Sequence, residues 1–259
     1  MSVTENLANF IVETEHDDFP PHIVEHTILC VLDWLGAAFA GCAAPSAILK
    51  RLGKQFEIKQ NIFKIHASCG HTHGAIDALL EIAQKNRIKP QEVEEIIVGT
   101  YPIAVEVVGK NCNPRTASEA KFSLPYCLSI ALLNGKVGLT EFSSKMIRNP
   151  EVLAVARRIK VRKDPDFVKV RLGGAKVRVR LSHQREYSAQ VKVPKGYPEN
   201  PLTKAELKNK FRNLASLVLP SRQVEEIILT LDNIEELSKV KELTSLLCKP
   251  STTKRHFET

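Results

Sequence analysis

The stretch Phe63–His73 (FKIHASCGHTH) crowds one lysine, three histidines, a thiol and two hydroxyls into eleven residues. Three kinds of chemistry compete for these side chains. Cys69, His71 and His73 are all legitimate zinc ligands, and on an extended strand their spacing of two sets them on one face. Zinc sites usually draw on two separated segments, however, and no second Cys/His cluster follows downstream, so no metal is expected. The second reading is proton transfer. A thiol, an imidazole or a desolvated lysine removes a proton from a carbon beside a carboxylate once its pKa is tuned towards neutrality, which makes Lys64 and Cys69 the candidates. In the third reading the same groups only cap the next helix and hydrogen-bond in the core. The residue pattern leaves proton transfer and this structural role both open.

The elements that must position this stretch are readable from periodicity. From Thr72 to about Asn86 apolar residues recur as Ile76, Leu79, Leu80 and Ala83, which predicts a helix directly after the loop. Free N–H groups and the positive dipole end at such a helix start suit an anion, so the loop is shaped to hold a carboxylate. Glu94–Tyr101 reads as a strand, Ser118–Leu133 as one apolar helix, and Glu141–Met146, capped by Thr140, as a short one; Pro150 opens another ending near Arg158. Phe167–Leu172 and Lys176–Leu181 alternate apolar and basic residues and are joined by Gly173-Gly174-Ala175, the pattern of a half-exposed hairpin that Glu186–Val193 continues. Thr203 and Glu206 form a capping box for a helix to about Leu217, and two more follow at Ser221–Leu231 and Lys239–Leu247. At the other end Thr4 caps Glu5–Glu13, and Pro20-Pro21 opens His22–Gly41. The apolar run Ile28–Ala44, interrupted by Asp33, is too short to cross a bilayer and reads as a buried helix. The polar tail after Pro250 is expected to fray.

With 259 residues, 43% hydrophobic and 25% charged, the chain has the composition of a soluble globular protein and the length for a sizeable core. Its six cysteines are scattered, form no CxxC pair and follow no secretory signal, so the expected setting is the cytoplasm without disulfides. The net charge of +8 concentrates between Arg157 and Arg185. One wet face of the strands accounts for those bases, and no aromatic residues interleave with them as a base-stacking platform requires. Neither nucleic acid nor a membrane is expected as a partner, and nucleic-acid binding through the basic hairpin ranks third among the functional readings.

At this point the loop becomes recognisable. Lys64–Ala78 (KIHASCGHTHGAIDA) resembles the lysine loop and following helix of the MmgE/PrpD family, which includes methylcitrate dehydratase, cis-aconitate decarboxylase and iminodisuccinate epimerase. Ser118–Tyr126 (SEAKFSLPY) with Ala131–Gly135 (ALLNG) resembles a second family signature, and Lys195–Pro201 (KGYPENP) with Lys210-Phe211 a third. By this resemblance Lys64 matches a lysine of the active site, Cys69 stands where the decarboxylase has a histidine, and Tyr126 matches a tyrosine facing the substrate. The cysteine-for-histidine exchange resembles the epimerase, and a cysteine acts as acid or base there only if its thiolate is stabilised.

The resemblance implies a lyase or epimerase that abstracts a proton next to a carboxylate in a small di- or tricarboxylate, without a cofactor, as a homodimer. Lys64, Cys69 and Tyr126 are the candidate catalytic residues; His71, Thr72, His73 and Arg115 are candidates for binding the substrate. It also implies a departure. Leu32–Gly36 and Gly41 resemble the family's opening helices, yet only Pro45–Ile62 separates them from the lysine loop, where the family keeps a long helical run with further active-site histidine and lysine residues. A truncated, noncatalytic carboxylate binder is therefore the competing expectation. The expected fold is α+β: an α/β lid-type substrate domain at 56–200 with an antiparallel sheet and covering helices, joined by a reduced all-helical remnant made of residues 1–55 and the C-terminal helices of 201–259.

Overall fold

The run Val93–Thr100 (VEEIIVGT), rich in β-branched side chains, becomes β1, the strand about which the sheet is organised. In the computed structural model, which describes residues 10, 12–15, 18–42, 56–168 and 173–247, β1 is paired on both sides. β2 (Ile159–Lys163) runs parallel to it and β3 (Ala175–Leu181) antiparallel; β4 (Glu186–Val191) is antiparallel to β3, giving the order β2-β1-β3-β4. The fold is α+β, as the sequence led us to expect.

Two details of the sheet differ from the sequence reading. Ile159–Lys163 hides inside the basic run and adds a parallel edge to an otherwise antiparallel sheet, with Ile96 opposite Ile159 and Thr100 opposite Lys163. A parallel neighbour needs a long crossover, which the helices between β1 and β2 supply. The strand expected to begin at Phe167 does not. Asp164 accepts a hydrogen bond from Asp166 N at 3.0 Å, Pro165 opens a 3₁₀ turn, and Phe167 is buried in the core; 169–172 lie outside the described residues. The hairpin is instead β3–β4, whose tight turn places Gln184 at φ 61°.

The basic alternation survives as one face of β3. Ala175, Val177, Val179 and Leu181 are buried while Arg178 is exposed. The outward bases meet acids: Lys160 lies 2.5 Å from Glu95, and Arg180 is 3.1 Å from Glu95 and 3.3 Å from Glu94. The hydrogen bond from Lys160 holds the Glu95 carboxyl below the usual carboxylate range. These pairs offset part of the charge on the strands by local electrostatics.

The buried face is covered by α2 (His73–Asn86), which packs on β3 and β4, and by α5 (Leu124–Asn134), which packs on α2 and on α7 (Pro150–Ala156). The single helix expected over Ser118–Leu133 is two, α4 (Ala117–Lys121) and α5. Ser123 Oγ accepts the Tyr126 N–H at 3.0 Å and Pro125 sits in the next first turn, so the chain restarts there. Likewise Thr140–Phe142 is a 3₁₀ turn ahead of α6 (Ser144–Ile147), and α3 (Pro102–Val108) was not anticipated; Pro102 starts it straight after β1. The Thr203–Glu206 capping box forms and opens α8 (Lys204–Ala215). α9 (Ser221–Asp232) is held to α8 by a two-pronged Arg212–Glu225 pair at 2.6 and 2.8 Å, and α10 (Val240–Ser245) follows.

By contact the chain divides into two units, Met1–Ile58 and Lys59–Thr259. The first contains α1 (Pro21–Cys42), and the expected burial of this helix is not found: Leu32 and Trp34 are 64% and 66% exposed. A helix apolar around its circumference offers no single face for one short unit to cover. The expected helix Glu5–Glu13 lies largely outside the described residues, as do most of the Pro45–Ile62 junction and the tail after Pro250.

Candidate functional site

The lysine loop enters the second unit as an extended segment whose Phe63 N–H donates to Gly196 O at 2.9 Å. Ala67 N–H then donates to Val137 O and Cys69 N–H to Lys121 O, so the loop is tied down along its length before it turns into the 3₁₀ segment Gly70–Thr72 and α2. Thr72, fully buried, donates its hydroxyl to Cys69 O at 2.8 Å; Ser68 Oγ, 2.7 Å away, must therefore be the donor to Thr72 Oγ1. Thr72 is thus a brace for the loop, where the sequence reading had it binding substrate.

Between this loop and the Gly196-Tyr197 turn lies a cavity of about 240 Å³. Lys64, Cys69, Gly70, His71, His73 and Tyr197 line it, with Ile62 at its edge. Four of the seven residues singled out from the sequence are brought together here. Tyr126 and Arg115 are not. Tyr126 is wholly buried and its hydroxyl donates to Glu141 O at 2.7 Å, while Arg115 is exposed, its backbone N–H bonded to Glu119. A larger groove of about 410 Å³ between α8 and α9 has walls of Leu207, Phe211, Leu214, Ile228 and Leu231, and its Lys204 and Lys208 are paired with Asp232. No histidine or cysteine lines it. Among the described residues no three His, Cys, Asp or Glu side chains converge to hold a metal ion.

Two tyrosines missed in the sequence reading take Tyr126's place. Tyr197 lines the cavity directly, and Tyr101, at the end of β1, lies 2.6 Å from His71 Nδ1. Burial pushes the Tyr101 phenol up to about 12, so at neutral pH it keeps its proton and is able to donate it to Nδ1. His71 itself is pulled below its ordinary value, first by burial and then by the Lys64 charge. It is therefore a neutral imidazole, and in the tautomer that accepts the Tyr101 proton on Nδ1 its own proton sits on Nε2 as a hydrogen-bond donor. Burial also raises the Tyr197 phenol, and the proximity of Cys69 opposes ionisation of both tyrosines. The signal for Tyr197 was present in the Gly-Tyr-Pro turn cluster; nothing in the spacing pointed to Tyr101.

His73 is 1% exposed and neither ring nitrogen has a hydrogen-bond partner. Burial, then the neighbouring His66, lower it to about 4. In the unfolded chain a histidine titrates near 6.5, so between that pH and about 4 the unfolded state binds more protons than the folded one. The stability that neutral His73 contributes must then be lost as pH drops through this window, and this one contribution changes no further below it. Urea unfolding at pH 7.5 and 4.5 should show wild-type stability lower by roughly 3 kcal/mol at the acid end, with much of the difference abolished in His73→Leu. Equal slopes for the two proteins would refute this assignment.

Residues 66–236 match the MmgE/PrpD C-terminal domain. The chain belongs to the MmgE/PrpD family. The matched span takes in the cavity residues from Cys69 to Tyr197, and Lys64 stands two residues ahead of it. A cis-aconitate decarboxylase-like protein of Aspergillus oryzae is 26% identical over 212 residues, which is 78% of this chain and 44% of that protein. Cis-aconitate decarboxylase of Mus musculus is 28% identical over 142 residues, covering 53% of this chain and 28% of its own. A 2-methylcitrate dehydratase-like protein of A. oryzae is 25% identical over 184 residues, or 66% and 37%. The chain spans less than half the length of these MmgE/PrpD relatives. No helix among the described residues is long and apolar enough to cross a membrane.

Proposed function

We propose that this MmgE/PrpD chain moves a proton at a carbon next to a carboxylate in a small di- or tricarboxylate. The observation that carries the reading is the convergence of Lys64, Cys69, His71 and Tyr197 on one cavity at the start of α2. The Lys64 ammonium neutralises a substrate carboxylate. The Cys69 sulfur, as thiolate, takes the proton, and the C–H electron pair passes into that carboxylate as an enediolate. The Nε2–H of His71 and the Tyr197 hydroxyl donate to its oxygens, a contribution worth about 10²–10³ in rate per donor. Delivery of a second proton to the opposite face, from the Tyr197 hydroxyl, inverts the centre and leaves the first proton on Cys69; passing the Cys69 proton to a neighbouring hydroxyl as it leaves as water completes a dehydration. The lyase names of the relatives favour release of a small molecule, and the thiol at position 69 favours inversion. The protein works without a cofactor in this scheme, as a cytoplasmic homodimer.

Incubation in D₂O with cis-aconitate, 2-methylcitrate and simple dicarboxylates, followed by proton NMR, tests the reading: at least one acid should exchange its α proton or lose a small molecule. Gly70→Leu is the matching control. The first side-chain atom at this position lies 4.0 Å from both Lys64 Cε and Tyr197 Oη, so a larger side chain fills the cavity. Exchange should fall by about 100-fold with the melting temperature little changed. Binding of these acids by the wild type without any turnover would overturn the catalytic reading in favour of a carboxylate-binding module.

A further inference from the structure

The two walls of the cavity come from segments far apart in the chain, the lysine loop and the turn that carries Tyr197. One side chain bonds to both. Asp77, one turn into α2, faces His66 Nε2 with Oδ1 at 2.8 Å and accepts the Lys195 backbone N–H on Oδ2 at 2.9 Å. A carboxylate offers only acceptors, so the His66 proton resides on Nε2 and points at Asp77. His66 in turn lies edge-on to the cavity residue His73, ring centroids 5.0 Å apart. His66 is 8% exposed, so little water competes for its bond to Asp77. On the other side Lys195 adjoins Gly196, whose carbonyl receives the Phe63 N–H, and its own ammonium lies 3.1 Å from Glu206 at the first turn of α8.

We propose that Asp77 is a positioning residue for the proton transfer inferred above, on which this proposal rests. It sets the spacing between the Lys64–Cys69 wall and Tyr197 through His66 and the Lys195 amide, without touching substrate. A carboxylate is required because both of its bonds are accepted ones. An asparagine supplies one acceptor oxygen and an amide N–H₂ group, so it satisfies one wall and faces the other with a donor. Misplacement of a catalytic group by about 1 Å costs on the order of 100-fold in rate.

The experiment compares wild type, Asp77→Asn, His66→Leu and His66→Gln in the full chain, with cis-aconitate as the probe. In Asp77→Asn, kcat for α-proton exchange should drop about 30–100-fold with a smaller rise in KM, beyond anything explained by the folded fraction from circular dichroism. His66→Leu should behave similarly, and His66→Gln, which keeps an N–H at that end, should recover part of the loss. Wild-type kinetics in Asp77→Asn, or losses in all variants that simply follow the unfolded fraction, would overturn the proposal. Should wild type show no exchange, the proton-transfer reading fails, and the clamp is judged separately by histidine ring nitrogen NMR. The His66 Nε2–H tautomer and the Tyr197 ring signals should both shift in Asp77→Asn; unchanged spectra would remove Asp77's role as well. If Asp77→Asn does not fold, the contrast between His66→Leu and His66→Gln decides.

Discussion

Cys69→Ala should lower the rate of α-proton exchange by about 10²–10⁴-fold, the usual share of a positioned acid or base. The substitution removes one sulfur from a half-buried side chain at the edge of the core, and the backbone bond from residue 69 to Lys121 O remains, so the fold should hold. KM should change little, because in the proposed mechanism carboxylate recognition lies with Lys64, His71 and Tyr197, which line the same cavity. A serine at this position keeps the size and a hydroxyl but not an acid of comparable strength, and should recover little. A loss below about 3-fold in kcat would transfer the proton to another group. The other thiol nearby does not qualify: Cys127 is fully buried, bonded to Ala120 O at 3.5 Å, and burial pushes it up to about 12.

The largest effect on stability is expected from Gly196→Ala. Gly196 stands at φ +93°, a conformation that L side chains rarely adopt, and an added Cβ would lie 2.0 Å from Phe63 O. Backbone strain of about 1–3 kcal/mol and a comparable overpacking penalty combine to roughly 2–6 kcal/mol. The clash falls on the hydrogen bond that seats the lysine loop against the Tyr197 turn, so the cavity should open before the sheet unfolds. Urea unfolding by circular dichroism measures the cost, and α-proton exchange in the residual folded protein should be reduced as well. A loss of stability under about 1 kcal/mol would mean that the turn relaxes around the methyl group.

The readable parts of the molecule were those where local rules and burial agree. α2 follows its apolar spacing almost to the residue, β1 its β-branched run, and α8 the Thr203–Glu206 box. The parallel edge β2 was illegible because Ile159–Lys163 is only five residues long and its Lys and Arg blend with the basic alternation that follows; what makes it a strand is the long-range register with β1. α1 failed in the opposite sense. Its pattern was helical, as found, but periodicity says nothing of what covers a helix, and Ile28, Leu29, Leu32 and Trp34 on it are exposed.

The site divides in the same way. The loop from Lys64 to His73 announced itself by composition, and Lys64, Cys69, His71 and His73 line one cavity. Tyr126 carried the family resemblance but sits in the core, bonded to Glu141 O. Tyr101 could not be found from spacing, since its link to His71 joins residues thirty positions apart through the path of β1. Asp77 lay in plain view inside the first signature, yet its two bonds, to His66 and to the Lys195 amide, exist only once α2 is set beside the 195–200 turn.

The exposed face of α1 has a practical consequence. The chain has a single tryptophan, Trp34, and it lies on that helix in the first unit, 66% exposed; the four tyrosines, Tyr101, Tyr126, Tyr187 and Tyr197, all belong to the second. The two units therefore carry separate optical labels. Tryptophan emission follows the solvation of α1, while tyrosine absorbance follows the second unit. A blue shift of Trp34 with concentration would reveal self-association through α1, and a tyrosine difference spectrum on adding a carboxylate would reveal binding, each read without disturbing the other.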